Sequence, residues 1–165
     1  MLDFLTLEET AYRLIFAVGC AVVLGFEREI KHKNAGIRTY LLVCLGSAGF
    51  TILIINISAY FLSLNLNVQI DPSRIVQGIV TGLGFLGGGA ILQQKSGVTG
   101  VATGAGIWIV GAIGIACGFG FFQLASLLTL LAFAVLGVIG LIRARMRDDI
   151  DNNSDKGDVS GDATN

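Results

Sequence analysis

Charge is what this sequence has least of: Asp, Glu, Lys and Arg supply 14% of its 165 residues, against about 25% in an ordinary soluble domain. The shortage is concentrated. From Ile75 to Ile142 the only charged residue is Lys95, and no Asp or Glu occurs between Pro72 and Arg147. The single histidine, His32, stands in a basic stretch, which excludes a histidine-based metal cluster and a Ser-His-Asp triad with a buried base. Cys20, Cys44 and Cys117 lie in separate apolar runs with no CxxC spacing, so they read as small core residues rather than a disulfide framework. There is no H-E-x-x-H, no P-loop and no acidic pair in a catalytic setting. Neither an enzyme nor a cofactor is expected.

What is present is apolar. Hydrophobic residues make up 53% of the chain and mean hydropathy is +0.76, which favours a membrane protein over a soluble globule. Charges and turn residues divide the sequence into five candidate spans, at about Thr10 to Phe26, Tyr40 to Leu64, Ile75 to Leu92, Val98 to Cys117 and Gln123 to Ile142. Each is near the roughly 20 residues that cross a hydrocarbon core of about 30 Å. Lys and Arg gather in Glu27 to Thr39, at Lys95 and at Arg143, Arg145 and Arg147, with only Arg13 and Arg74 on the opposite side. The expected fold is therefore an all-α membrane protein of five transmembrane helices, N-terminus outside and C-terminus cytoplasmic. Residues 1–147 form one transmembrane domain. Residues 148–165, with formal charge −5 against +4 for the rest, form a disordered acidic cytoplasmic tail. Ala17-Val18-Gly19-Cys20 has some likeness to a lipoprotein cleavage site, but Asp3, Glu8 and Glu9 precede it where a signal peptide is positive, so the segment is expected to be retained as the first helix.

Two constellations remain. Gly82-Leu83-Gly84-Phe85-Leu86-Gly87 matches G-x-G-x-x-G, yet no acid follows Gly87 until Asp148 to hold a ribose, which argues against nucleotide binding. Helix packing explains these glycines better. Gly78 with Gly82, and Gly100 with Gly104, form GxxxG pairs, and Gly84 and Gly87 are read as packing glycines with them. Gly111, Gly114 and Gly118 continue a small face along the fourth span, so the third and fourth spans are expected to pack together. The second constellation is Glu27-Arg28-Glu29 with Arg38, at the cytoplasmic ends of the first two spans. It reads either as a wet interfacial loop or as a coupled Glu27–Arg38 pair that would make a charge near the membrane tolerable and functional. On a continuing helix Glu27 could pair with Lys31, and Glu29 with Lys33. Asp71-Pro72-Ser73-Arg74 reads as a helix start, with Asp71 the N-cap and Arg74 able to bond back to it. The basic residues suit anionic lipid rather than nucleic acid.

These residues resemble, in order, the MgtC/SapB family of bacterial inner-membrane proteins. The likeness runs from about Glu9 to Ala125, through Glu9 and Arg13, Gly25-Phe26-Glu27-Arg28-Glu29, Ala35-Gly36-Ile37-Arg38-Thr39 and Leu45-Gly46-Ser47-Ala48. It continues with Asp71-Pro72-Ser73-Arg74-Ile75, Gly82 to Gly89, Val98 to Thr103, Trp108 and Ala112-Ile113-Gly114. Gly88 and Ala102 depart from the expected Ala and Thr, and Gln77 precedes Gly78 where many members carry Gln. The resemblance implies the bacterial inner membrane, a link to growth at low magnesium and to survival inside host cells, and in some members restraint of the membrane ATP synthase. The soluble domain that follows the last span in longer members has no counterpart here, so the chain looks like a short form.

The leading functional reading is a regulatory or partner-binding membrane protein, its partner another protein or a second copy, with the Glu27 to Thr39 face and the Gly-rich third and fourth spans as its working surface; Glu27, Arg28, Glu29, Arg38, Asp71 and Arg74 are the candidate functional residues. The alternative is an ion transporter or channel subunit in which Glu27, Glu29 and Arg38 line a vestibule. Its mid-membrane polar groups would be Thr51, Asn56, Gln77, Thr81, Thr103 and Thr129. A Mg²⁺ site normally includes one or two carboxylates, and the acids Glu8, Glu9, Glu27, Glu29 and Asp71 fall near the two membrane faces with none between.

Overall fold

A computed structural model describes residues 5–64, 70–94 and 97–137, except the side chains of 93 and 94. Two units divide the chain after Ala132, and of the second only residues 133–137 are described, as helix. The helices are α1 (Leu7–Ile30), α2 (Ile37–Ser63), α3 (Pro72–Gly89), α4 (Val101–Phe119) and α5 (Phe122–Gly137). Between α3 and α4 stands an antiparallel hairpin, β1 (Leu92–Gln94) and β2 (Gly97–Thr99), with Leu92 opposite Thr99 and Gln94 opposite Gly97.

Local chemistry sets most of the boundaries. The Thr6 hydroxyl accepts from the Glu9 amide at 3.2 Å to cap α1, and Asp71 Oδ1 accepts from the Ser73 amide at 2.9 Å ahead of Pro72 to start α3. Helix α4 ends in a Schellman motif: Gly120 adopts φ +82°, and the Phe121 amide donates to the Ala116 carbonyl at 2.8 Å.

Helix α4 lies at the centre, packed by α1, α2 and α3. Its glycines let the backbones close. A Cβ on Gly104 would stand 2.7 Å from the Gly87 carbonyl oxygen of α3, and one on Gly118 would stand 2.5 Å from Thr51 Cβ of α2. Gly111 receives Leu83 in the same way. Leu24, Tyr40, Cys44, Val110, Ile113 and Cys117 are fully buried around this helix. Large apolar side chains on the other faces, such as Leu42, Phe85 and Leu130, point outward, as the hydrocarbon of a bilayer allows.

The five-span expectation is overturned. Three helices, α1, α2 and α4, are long and apolar enough to cross a membrane. Helix α3 is not, because six of its 18 residues are glycine and Ser73, Arg74, Gln77 and Thr81 dilute it further. As described, α5 has 16 residues, about 24 Å of helix at 1.5 Å per residue against a core of about 30 Å. The orientation expected from charge counting rested on alternation across five spans and falls with it. The hairpin also departs from the all-α expectation: Val98, placed in the fourth span, lies in β2. The expected acidic tail, the Arg143 to Arg147 cluster, Lys95 and residues 138–142 of the expected fifth span lie outside the described residues.

Candidate functional site

Helix α1 does not stop at its apolar stretch but runs on through Glu27, Arg28 and Glu29. Gly25 makes this possible, since a Cβ there would stand 2.8 Å from Ile37 Cα, and α2 returns directly alongside. The result is a buried charge cluster at the end of the bundle where α1 finishes and α2 and α4 begin. Glu27 is 9% exposed and Arg28 3%. Glu27 is ion-paired with Arg28 at 3.6 Å and with Lys31 one helical turn on, and its oxygens are held by charge rather than by well-directed hydrogen bonds. Arg28 Nη2 also donates to Thr103 Oγ1 of α4 at 3.5 Å, the long limit of such a bond. Beside it Tyr40 is fully buried, with its hydroxyl set where Gly106 leaves no room for a side chain. Neither Tyr40 Oη nor Arg28 Nε has a hydrogen-bond partner among the described residues.

Glu29 has a different task. Its Oε2 accepts from the Ile37 amide at 3.0 Å and so caps α2, whose own N-cap residue, Gly36, has no side chain to offer. A Cβ on Gly36 would collide with that carboxylate. The turn between the helices closes with the Lys33 amide donating to the Arg28 carbonyl at 3.1 Å and His32 at φ +48°. Arg38 is exposed and makes no ion pair with a described residue. The expected Glu27–Arg38 pair is therefore replaced by Glu27 with Arg28 and Lys31, because helical continuation puts Lys31 on the Glu27 face while Arg38 points away from the bundle.

Asp71 and Arg74 lie at the start of α3, both exposed and apart from this cluster. The Ser73 hydroxyl and then its amide hold the Asp71 carboxyl below its ordinary value, with the charge of Arg74 a smaller cause. Of the glycines expected to pack helices, Gly87 and Gly104 meet, whereas Gly78, Gly82 and Gly84 have nothing described within 4 Å of where a Cβ would be. Gly100 serves the backbone instead, at φ +88° against the Ala90 carbonyl. Sequence reasoning missed Arg13 as a structural residue. Its Nη1 donates to the Gly118 carbonyl at 2.7 Å, capping the C-terminal end of α4. A lone cation inside the first apolar run was the signal. It also missed Tyr40 with Gly106, for which no local pattern exists. The hydroxyls of Thr51, Thr81 and Thr129 bond to carbonyls one turn back in their own helices, and Asn56 Oδ1 accepts from the Leu5 amide at 3.1 Å.

The sequence profile described as the MgtC family matches residues 14–145, four fifths of the chain, from within α1 to beyond the described end of α5. The chain belongs to the MgtC family. Over 130 residues it is 42% identical to "Putative magnesium transporter YhiD" of Escherichia coli K12, covering 77% of this chain and 60% of that protein. It is 36% identical over 129 residues to "Protein MgtC" of Brucella abortus, covering 78% and 50%, and 37% identical over 122 residues to "Protein SapB" of Bacillus subtilis, covering 72% and 52%. The chain thus spans about half to three fifths of the length of these relatives. No solved structure matches it. It is a multi-pass protein of the bacterial inner membrane, in contact with lipid through the outward apolar faces of its helices. Among the described residues no three His, Cys, Asp or Glu side chains are grouped to hold a metal ion.

Proposed function

We propose that the protein is a regulatory, partner-binding component of the inner membrane that acts in adaptation to low magnesium, and that it does not itself conduct the ion. The observation that carries this reading is the employment of the two carboxylates at the end of α1, Glu27 buried and Glu29 exposed. Glu27 is taken up by Arg28 and Lys31, and Glu29 by the start of α2. A hydrated Mg²⁺ gives up water reluctantly and asks for carboxylates that are free to replace it. Here each acid has a structural load instead, so the cluster fixes the geometry of one end of the bundle. Arg38, exposed beside that rigid end, is the residue we assign to contact with a partner protein. The family resemblance makes the membrane ATP synthase a candidate partner, and a second copy of the chain another.

The test is growth of a bacterium lacking the chromosomal copy, in limiting and in replete Mg²⁺, complemented with wild type or Arg38→Ala at matched membrane levels. The expected result is slow growth of the deletion strain only at limiting Mg²⁺, restored by wild type and not by Arg38→Ala. Unimpaired growth of the deletion strain at limiting Mg²⁺ would remove the role. A second reading, transport of Mg²⁺, draws on the printed name of the Escherichia coli relative. It requires that Glu27 leave its two basic partners on each transport cycle.

A further inference from the structure

Helices α2 and α3 diverge where α3 leans on α4, and between them runs an open apolar groove of about 600 Å³. On α3 it extends from Arg74 to Leu86. Its depth comes from glycine: Gly78 and Gly82 on α3 and Gly46 on α2 all line it, and none has a described atom within 4 Å of a Cβ position. Phe50 stands on its α2 wall. Twelve residues separate the two ends on α3, about 18 Å of helix, which is a little more than one leaflet of a hydrocarbon core of about 30 Å.

Two facts choose the occupant. Helix α2 is long and apolar enough to cross a membrane, which sets the groove toward lipid rather than water. At the end where α2 finishes and α3 begins stands Arg74, exposed and without an ion pair to a described residue. A guanidinium fork is suited to a phosphodiester, and the nearby Asp71 carboxylate is already engaged by Ser73. The geometry points to a bound phospholipid, one acyl chain lying in the α2–α3 groove over Gly78 and Gly82 and the phosphodiester on Arg74. This site is separate from the Glu27 cluster and does not depend on its reading.

The test is native mass spectrometry of the full chain extracted from its own membrane in mild detergent, then of delipidated protein resupplied with phosphatidylglycerol or with diacylglycerol of the same acyl chains. One phospholipid per chain is expected to survive extraction. Gly82→Leu puts a side chain into the groove from a position where a Cβ meets nothing described within 4 Å, so it should keep wild-type helicity by circular dichroism yet lose tenfold or more of the retained lipid. Arg74→Gln should weaken phosphatidylglycerol binding by about tenfold or more, and diacylglycerol should not replace it. Equal lipid retention by wild type and Gly82→Leu would overturn the proposal, as would indifference to Arg74→Gln. A lipid-free dimer cross-linked through Cys placed at Gly78 would overturn it too, assigning the groove to a second copy.

Discussion

Gly82 and Gly104 close two GxxxG pairs that look alike in sequence, and the fold separates them sharply. At Gly104 a methyl group would lie 2.7 Å from the Gly87 carbonyl oxygen and 3.3 Å from the carbonyl carbon. Those atoms are backbone in a neighbouring helix, so α3 and α4 would have to move apart. Overpacking of this kind costs about 1–3 kcal/mol, offset by up to about 1 kcal/mol because alanine is the better helix former. At Gly82 the methyl meets nothing described, and only the propensity gain of up to about 1 kcal/mol remains. Gly104→Ala should therefore be less stable than Gly82→Ala by about 1–3 kcal/mol. The assay is unfolding in mixed micelles of increasing SDS fraction, followed by far-ultraviolet circular dichroism, with both variants and wild type at the same detergent load. Equal midpoints for the two variants, or a lower midpoint for Gly82→Ala, would show that close approach of α3 and α4 at Gly87 does not support the bundle.

Other consequences can be measured in the same way. Arg13→Met removes a charged donor from the Gly118 carbonyl at the end of α4, and should lower stability by about 1.5–3 kcal/mol; an unchanged SDS midpoint would dismiss the cap. His32 holds φ +48° at the end of α1, a conformation that costs a side-chain-bearing residue about 1–2 kcal/mol. His32→Gly should thus stabilise the protein by about 1 kcal/mol, and a lower midpoint would count against a left-handed turn there. The Asp71 carboxyl is held below its ordinary value of 3.8 by hydrogen bonds from Ser73. Its contribution is complete above that value and is lost as pH falls through the depressed folded-state value. Asp71→Ala should differ from wild type at neutral pH and converge with it in strong acid, and a gap that widens below pH 4 would reverse the sign.

The sequence was most readable where transfer energy alone decides. The first, second and fourth apolar runs became membrane-length helices because their hydropathy is continuous. The third did not, because an absence of charge is not the same as apolar content: glycine, six times in α3, adds almost nothing to burial in lipid. The start of the fourth run was placed too early because Val98 suits a strand as well as a helix, and only the left-handed Gly100 marks the change. At the cluster, the i,i+4 spacing of Glu27 and Lys31 was legible, since it depends on one helix continuing. The Glu29 cap on Ile37 and the Arg28 contact with Thr103, 75 residues away, were not, because they depend on how separate helices meet. Spacing likewise named both glycine pairs but could not say which faces the protein.

In the proposed reading Glu27 is a structural carboxylate, locked by Arg28 and Lys31, and the protein regulates rather than conducts. Mg²⁺ entry into liposomes holding the purified protein, reported by an internal fluorescent indicator, tests it most directly. Uptake equal to that of protein-free liposomes is expected for wild type and Glu27→Gln alike, across an imposed potential of either sign. Saturable uptake by wild type that disappears in a folded Glu27→Gln variant would contradict it and make the buried carboxylate part of an ion path.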